Sequence, residues 1–261
     1  MILKMKFDLL KRLAYVLLAV LLPLLSFGDD NTQALFEKGN AYYTKGQYQQ
    51  AVGAYQQVIN SGYQSIPLYY NMGNAEYKLG EIPSSLLYYE KAHKLSPADE
   101  DINVNIHFAN LKTTDKIDEM PEFFLNRWWH GFILSFSVNA LAIWSVLLVL
   151  VGSGLLVLYF FTNSVAIKKL SFYSSLTSFF IGLVIIAIAG SQVSYFDGHK
   201  QAIIFSGIVN VKSGPVDQPN TLFVLHEGTK VNVLDKANGW MRIKLANGNE
   251  GWLKISDVKE I

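Results

Sequence analysis

The chain has no cysteine. That excludes disulfides, thiolate metal sites, cysteine nucleophiles and a lipid anchor on an N-terminal cysteine. Charge is scarce: only 16% of the residues are Asp, Glu, Lys or Arg, and the formal net charge is +1. So even a balance leaves no electrostatic footprint for nucleic acid. The scarcity is concentrated in the middle of the chain. From Phe132 to Phe161, and again from Leu170 to Phe196, there is not one Asp, Glu, Lys, Arg or His. Catalytic signatures are missing as well: there is no Gly-x-Ser-x-Gly elbow, no His-Glu-x-x-His pair and no phosphate-binding glycine loop. The histidines, His93, His107, His130, His199 and His226, are scattered over every segment and read as surface or interfacial residues. The expectation is a protein without enzymatic activity, metal site or cofactor.

The two uncharged runs each exceed the roughly 20 residues that cross a bilayer as a helix. Spans at residues 139–161 and 171–194, joined by a polar loop at 162–169, make a transmembrane hairpin. Everything before and after a hairpin lies on one side of the membrane. The loop ends in Lys168 and Lys169 and holds no acid, which marks it as cytoplasmic. The N-terminus agrees. Lys4, Lys6, Lys11 and Arg12 precede an apolar run, with small residues before Asp29, so residues 1–28 read as a signal peptide cut after Gly28. The second span carries small residues four or eight apart, Ser174, Ser178, Gly182, Gly190 and Ser194, as a stripe for packing on the first span or on another membrane protein. Before the first span, residues 114–137 form a linker and an aromatic stretch. There Phe123, Phe124, Trp128 and Trp129 suit the headgroup region.

Residues 31–113 repeat. Gly39-Asn40-Ala41-x-Tyr43 recurs as Gly73-Asn74-Ala75-x-Tyr77, and Tyr55 recurs as Tyr89, each pair 34 apart. That is the period of the tetratricopeptide (TPR) helix pair. Two repeats and a capping helix from Glu100 make an all-α array, a binding scaffold with no implied chemistry. Counted from the glycine, its groove-facing positions are Phe36, Asn40 and Tyr43, then Tyr70, Asn74, Tyr77 and Lys78, then Val104, Phe108 and Lys112. The two asparagines resemble the pair with which TPR carboxylate clamps hold a peptide backbone. Phe36, Val104 and Phe108 stand where such clamps carry Lys or Arg, so an apolar partner segment fits better than a free carboxylate.

From residue 200 to 261 the pattern changes to period two. Met241, Ile243 and Leu245 alternate with Arg242 and Lys244, and Asn238-Gly239 and Asn247-Gly248 are hairpin turn dipeptides. A small all-β barrel is expected. Val209-Asn210-Val211-Lys212-Ser213-Gly214-Pro215, Leu225-x-Glu227-Gly228-Thr229 and Gly239-Trp240 through Gly251-Trp252 resemble the bacterial SH3 family. In that resemblance Asn210, Gly214, Pro215, Gly228, Trp240, Gly251 and Trp252 are mainly structural, and some relatives bind cell-wall peptides.

The order of signal peptide, TPR array, transmembrane hairpin and SH3-like barrel resembles the BatE family of the Bacteroides aerotolerance (Bat) operon. The stretch Phe123-Phe124-Leu125-Asn126-Arg127-Trp128-Trp129 carries the likeness into the juxtamembrane region. The resemblance implies a two-pass inner-membrane protein with both soluble domains in the periplasm, set among von Willebrand A-domain membrane proteins. Two functions follow: a scaffold whose TPR groove binds a protein, and a tether or sensor whose barrel binds peptidoglycan.

Overall fold

The computed structural model describes residues 30–118, 120–121, 123–216 and 220–261. The proposed signal peptide lies outside the described residues. The described chain divides into two compact units, residues 31–138 with 190–261, and residues 139–189.

The first unit begins with helices α1 (Asp30–Thr44), α2 (Tyr48–Asn60), α3 (Ile66–Leu79), α4 (Ile82–Leu95) and α5 (Glu100–Asn110). Their ends follow from the sequence. Ser65 caps α3 by accepting from the Leu68 amide at 3.3 Å, and Gly80, at φ +86°, terminates it. Pro97 follows α4 by two residues and prevents its continuation. Asp99 caps α5, whose first turn adds Glu100 and Asp101, the favoured charge for that end of the dipole.

The α1/α2 and α3/α4 pairs each form a repeat, and each is closed by one tyrosine. The rings of Tyr55 and Tyr89 are buried against Gly39 and Gly73, where a Cβ would come within 2.4 and 2.5 Å of the ring. Only glycine leaves that space, so the recurring Gly–Tyr pair sets the spacing of the helices. On α5, Ile102 and Ala109 are buried, and Leu111 just past its end is 58% exposed.

After α6 (Phe124–Ile133) and the second unit, the first unit resumes as an antiparallel sheet. Its strands are β1 (Gln201–Ile204), β2 (Ile208–Lys212), β3 (Thr221–His226), β4 (Lys230–Ala237), β5 (Trp240–Lys244), β6 (Glu250–Lys254) and β7 (Val258–Glu260), in the order β3-β2-β6-β5-β4-β1-β7. Asn238 (φ 50°) and Gly239 (φ 82°) make the positive-φ turn between β4 and β5 that their sequence foretells. Period-two burial places Val209, Val211, Val231, Met241, Ile243 and Leu253 in one apolar core. A second core joins the array to the sheet: Leu86, Leu87 and Tyr89 of α4 and Ala109 of α5 pack with Ile203 of β1.

The second unit is a helical hairpin. Helix α7 (Val138–Phe161) and helix α8 (Val165–Gly198) are both long and apolar enough to cross a membrane. Helix α8 starts at Val165, so Lys168 and Lys169 stand in its first turns rather than on a loop, and the break is only residues 162–164.

Candidate functional site

Helices α1, α3 and α5 carry the positions counted from the repeat glycine. The two asparagines act first within the array. Asn40 Oδ1 accepts from the Tyr55 hydroxyl at 2.8 Å and from Asn71 Nδ2 at 2.9 Å. Asn74 Oδ1 accepts from the Tyr89 hydroxyl at 2.7 Å and from Asn105 Nδ2 at 3.0 Å. Each rung thus ties a first helix to its own second helix and to the first helix of the following repeat. Burial, with Tyr43 adding to it, pushes the Tyr55 phenol up to about 12, and burial drives Tyr89 higher still. Asn71 and Asn105 complete the rungs without having been singled out. Their signal was present: they too stand 34 apart.

Around the rungs, Phe36 lies 6.0 Å from the Tyr55 ring and Tyr70 lies 6.1 Å from the Tyr89 ring. Tyr70 also accepts from Asn105 Nδ2 at 3.0 Å. Tyr43 meets Tyr48 edge-on, and the Lys112 ammonium sits 5.2 Å from the Tyr77 ring centroid. Val104 and Phe108 are half exposed, at 50% and 52%, and Lys78 is exposed. On α5 the neighbouring Asn103, His107 and Asn110 are polar and exposed. The apolar exposure is therefore confined to the face carrying Val104, Phe108 and Leu111. Such a surface suits an apolar segment bordered by acceptors for Lys78 and Lys112. Because the asparagine oxygens are engaged inside, Asn74→Ala should lower stability by about 1–3 kcal/mol, the cost of stranding a buried hydroxyl and an amide. Urea unfolding followed by circular dichroism measures it, and an unchanged midpoint would remove the rung from the account.

The barrel residues fall into place as follows. Trp240 is 9% exposed with the Lys254 ammonium 5.5 Å from its ring centroid, and Trp252 is half-buried. Gly251 is buried against Val211, while Asn210 faces outward on β2. Gly214 and Pro215 sit in the turn region after β2. Gly228 (φ +83°) faces the array: a Cβ there would lie 2.8 Å from Thr113 Cγ2 and 3.6 Å from Leu86 Cδ1.

Residues 113–118, expected to be a polar linker, lie on the barrel instead. The Asp115 carboxylate accepts from the His226 amide at 2.7 Å and the Thr229 hydroxyl at 2.7 Å, and pairs with His226 Nδ1 at 2.8 Å. Burial alone would raise the Asp115 carboxyl, but the His226 and Thr229 contacts outweigh it and hold the group below the usual carboxylate range. A further link joins Lys230 of β4 to Glu90 of α4 at 2.7 Å.

Among the described residues no group of three His, Asp or Glu side chains is placed to hold a metal ion. His93 is half-buried, and burial pushes its pKa down. Tyr195 and His199 stack with ring centroids 4.4 Å apart, and His130 meets Tyr195 tilted and His199 edge-on.

In the hairpin, α8 meets α7 through Ser175, whose hydroxyl donates to the Gly152 carbonyl at 2.8 Å, and Ser178, which donates to the Leu148 carbonyl at 2.7 Å. Gly182 is buried 3.5 Å from Leu148 Cβ as measured from an added Cβ. Ser174 is half-buried, and Gly190 and Ser194 are exposed. The buried line runs Ser171, Ser175, Ser178 and Gly182. The reason is geometric: at about 100° per residue, strict steps of four drift about 40° each, so a stripe read that way turns off the contact face. Gly182→Leu should therefore disrupt the hairpin, whereas Val184→Leu, at an exposed position, should not. Resistance of the two variants to detergent-induced unfolding compares them, and equal losses would remove Gly182 from the contact.

Comparison with known families agrees with this architecture. The tetratricopeptide repeat families match residues 32–61 and 66–99. The bacterial SH3 domain family matches residues 207–259. No curated protein matches the chain. The chain thus joins tetratricopeptide repeats and a bacterial SH3 domain, two kinds of module that bind rather than catalyse, to two helices able to span a membrane.

Proposed function

We propose that the protein is a non-catalytic inner-membrane adaptor that presents its TPR groove to a protein partner on the periplasmic side. The observation that carries this reading is the fusion of two binding modules to two span-length helices, with exposed Val104 and Phe108 beside Lys78 and Lys112. The groove comprises Phe36, Asn40, Tyr43, Tyr70, Asn74, Tyr77, Lys78, Phe108 and Lys112. Its partner is a protein of the Bat-type envelope system, such as a von Willebrand A-domain membrane protein, acting in stress tolerance. The orientation follows from Lys168 and Lys169 beside the turn of the hairpin. The exposed aromatics of α6, among them Trp128 at 68%, then lie in the headgroup layer.

Because the asparagine rungs hold the array together, the partner test uses the exposed side chains. Val104→Ser with Phe108→Ser should abolish capture in photo-crosslinking from α5 in cells while leaving the melting curve in place. Undiminished capture by the folded variant removes the groove. Orientation is read separately from single cysteines at Gln49, Ser164 and Asn220, probed with an impermeant thiol reagent in cells with a permeabilised outer membrane. Gln49 and Asn220 should label and Ser164 should not; the opposite pattern inverts the topology.

A second reading rests on the bacterial SH3 match: the barrel tethers the protein to peptidoglycan. Co-sedimentation of the full chain with cell-wall sacculi in moderate salt would favour it over the adaptor.

A further inference from the structure

The segment between the array and α6 has the composition of a solvated linker, but its burial alternates. Thr113, Asp115 and Ile117 are half-buried, while Thr114, Lys116 and Asp118 are exposed. Thr113 and Thr114 bend the chain away from α5, and from Asp115 to Asp118 the alternation is that of an extended chain laid with one face on a surface. The surface is the barrel. Asp115 takes both the amide and the ring Nδ1 of His226 together with the Thr229 hydroxyl, at 2.7 to 2.8 Å. Two residues on, Ile117 packs against the apolar core of the sheet. Met120 then donates its amide to the Ala246 carbonyl at 3.0 Å, and its sulfur lies 2.6 Å from the place a Cβ on Gly248 would take. At the other end the segment is fastened to α5. The Thr113 hydroxyl and the Lys116 ammonium both donate to the Asn110 carbonyl, at 2.8 and 2.7 Å.

We infer that the barrel carries a peptide seat for an extended segment with a carboxylate and, two residues later, an aliphatic side chain, and that its ligand is the chain's own strap, residues 115–118 together with Met120. A carboxylate is an acceptor only, and the turn between β3 and β4 offers it three donors from two residues. A main-chain hydrogen bond and an apolar slot complete the seat, the combination with which sheets take extended peptides. Being in the same chain, the strap is present at a high effective concentration and outcompetes free peptides. The strap therefore clasps the barrel to the array, and this face of the barrel is closed to other ligands while the clasp holds. The inference is independent of the partner proposed for the TPR groove.

The test uses the full chain in detergent micelles. Hydrogen exchange should show the amides of His226 and Met120 protected in the wild type. Asp115→Ala should speed exchange at both by tenfold or more, although Met120 is remote from the substituted carboxylate. Asp118→Ala, at an exposed position, should change neither. Asp115→Ala with Ile117→Ser should also bind a fluorescent peptide of residues 113–120 in trans, at least tenfold more tightly than the wild type does. Should the variants fail to fold, the wild type still decides. Spin labels on cysteines at Asp118, exposed on the strap, and Ser256, exposed on the barrel, in a chain with no native cysteine, should give one narrow distance distribution. A broad distribution, or a Met120 amide still protected in folded Asp115→Ala, overturns the clasp.

Discussion

Gly73→Ala should destabilise the soluble unit by about 2–3 kcal/mol, in the upper part of the range for overpacking a close-fitted core. The added Cβ would lie 2.5 and 2.6 Å from two carbons of the Tyr89 ring, closer than carbon atoms approach. The ring has nowhere easy to go. It is 2% exposed, its hydroxyl is fixed on Asn74, and it packs with Leu86, Leu87 and Ile203. Moving it loosens the second repeat and the core shared with the barrel together. Gly53→Ala supplies the contrast. That glycine is also inside a helix, but nothing lies within 4 Å of its Cβ position. There the substitution should stabilise by about 0.5–1 kcal/mol, the ordinary helix preference of alanine over glycine. Urea unfolding of the two variants should move the midpoint in opposite directions. A shift of the same sign in both would mean that the Gly–Tyr contact does not set the helix spacing.

The repeat was legible because a helix pair that stacks on its own copy must keep the same small residue under the same large one. Gly39 and Gly73, Tyr55 and Tyr89 show this at a fixed interval. The hairpin was legible through absence of charge, and the barrel through alternation and its Asn-Gly turns. The asparagines were visible as a pair, but their direction was not. A repeat period says that Asn40 and Asn74 do the same thing; it does not say whether the amide faces a ligand or a tyrosine hydroxyl on the next helix. Of the small-residue stripe, Ser178 and Gly182 are buried and Gly190 and Ser194 are exposed, because spacing of four and a helical turn of 3.6 diverge over a long helix.

The contacts between array and barrel were not legible at all. Asp115 and His226 are 111 residues apart, and Glu90 and Lys230 are 140 apart. A charged residue in a polar stretch reads as solvated until its partner is in place. Only Ile117, a lone aliphatic residue in a polar stretch, hinted that the strap has a dry side.

Lys230→Ala should cost about 3 kcal/mol, the low end for breaking a buried ion pair by removing one partner. The two ends of this pair are unequal. The Glu90 side chain is 4% exposed and the Lys230 side chain 39% exposed, with the ammonium 2.7 Å from the carboxylate. Losing the amine leaves the carboxylate desolvated and stripped of its counter-charge, while the lysine end was partly wet throughout, which keeps the cost at the low end. The pair of Lys236 with Glu260, exposed at 44% and 43%, is the comparison. Lys236→Ala should cost less than about 1 kcal/mol, as exposed pairs do. If the penalty comes from the stranded charge, Glu90→Gln placed on Lys230→Ala should recover much of it, although Glu90→Gln alone destabilises. A double-mutant cycle of this kind isolates the coupling between the two residues. The array and the barrel should still unfold in one transition in Lys230→Ala, since the core of Leu86, Leu87, Tyr89 and Ile203 joins them in any case. Equal costs for Lys230→Ala and Lys236→Ala would show that the buried link contributes no more than a surface pair.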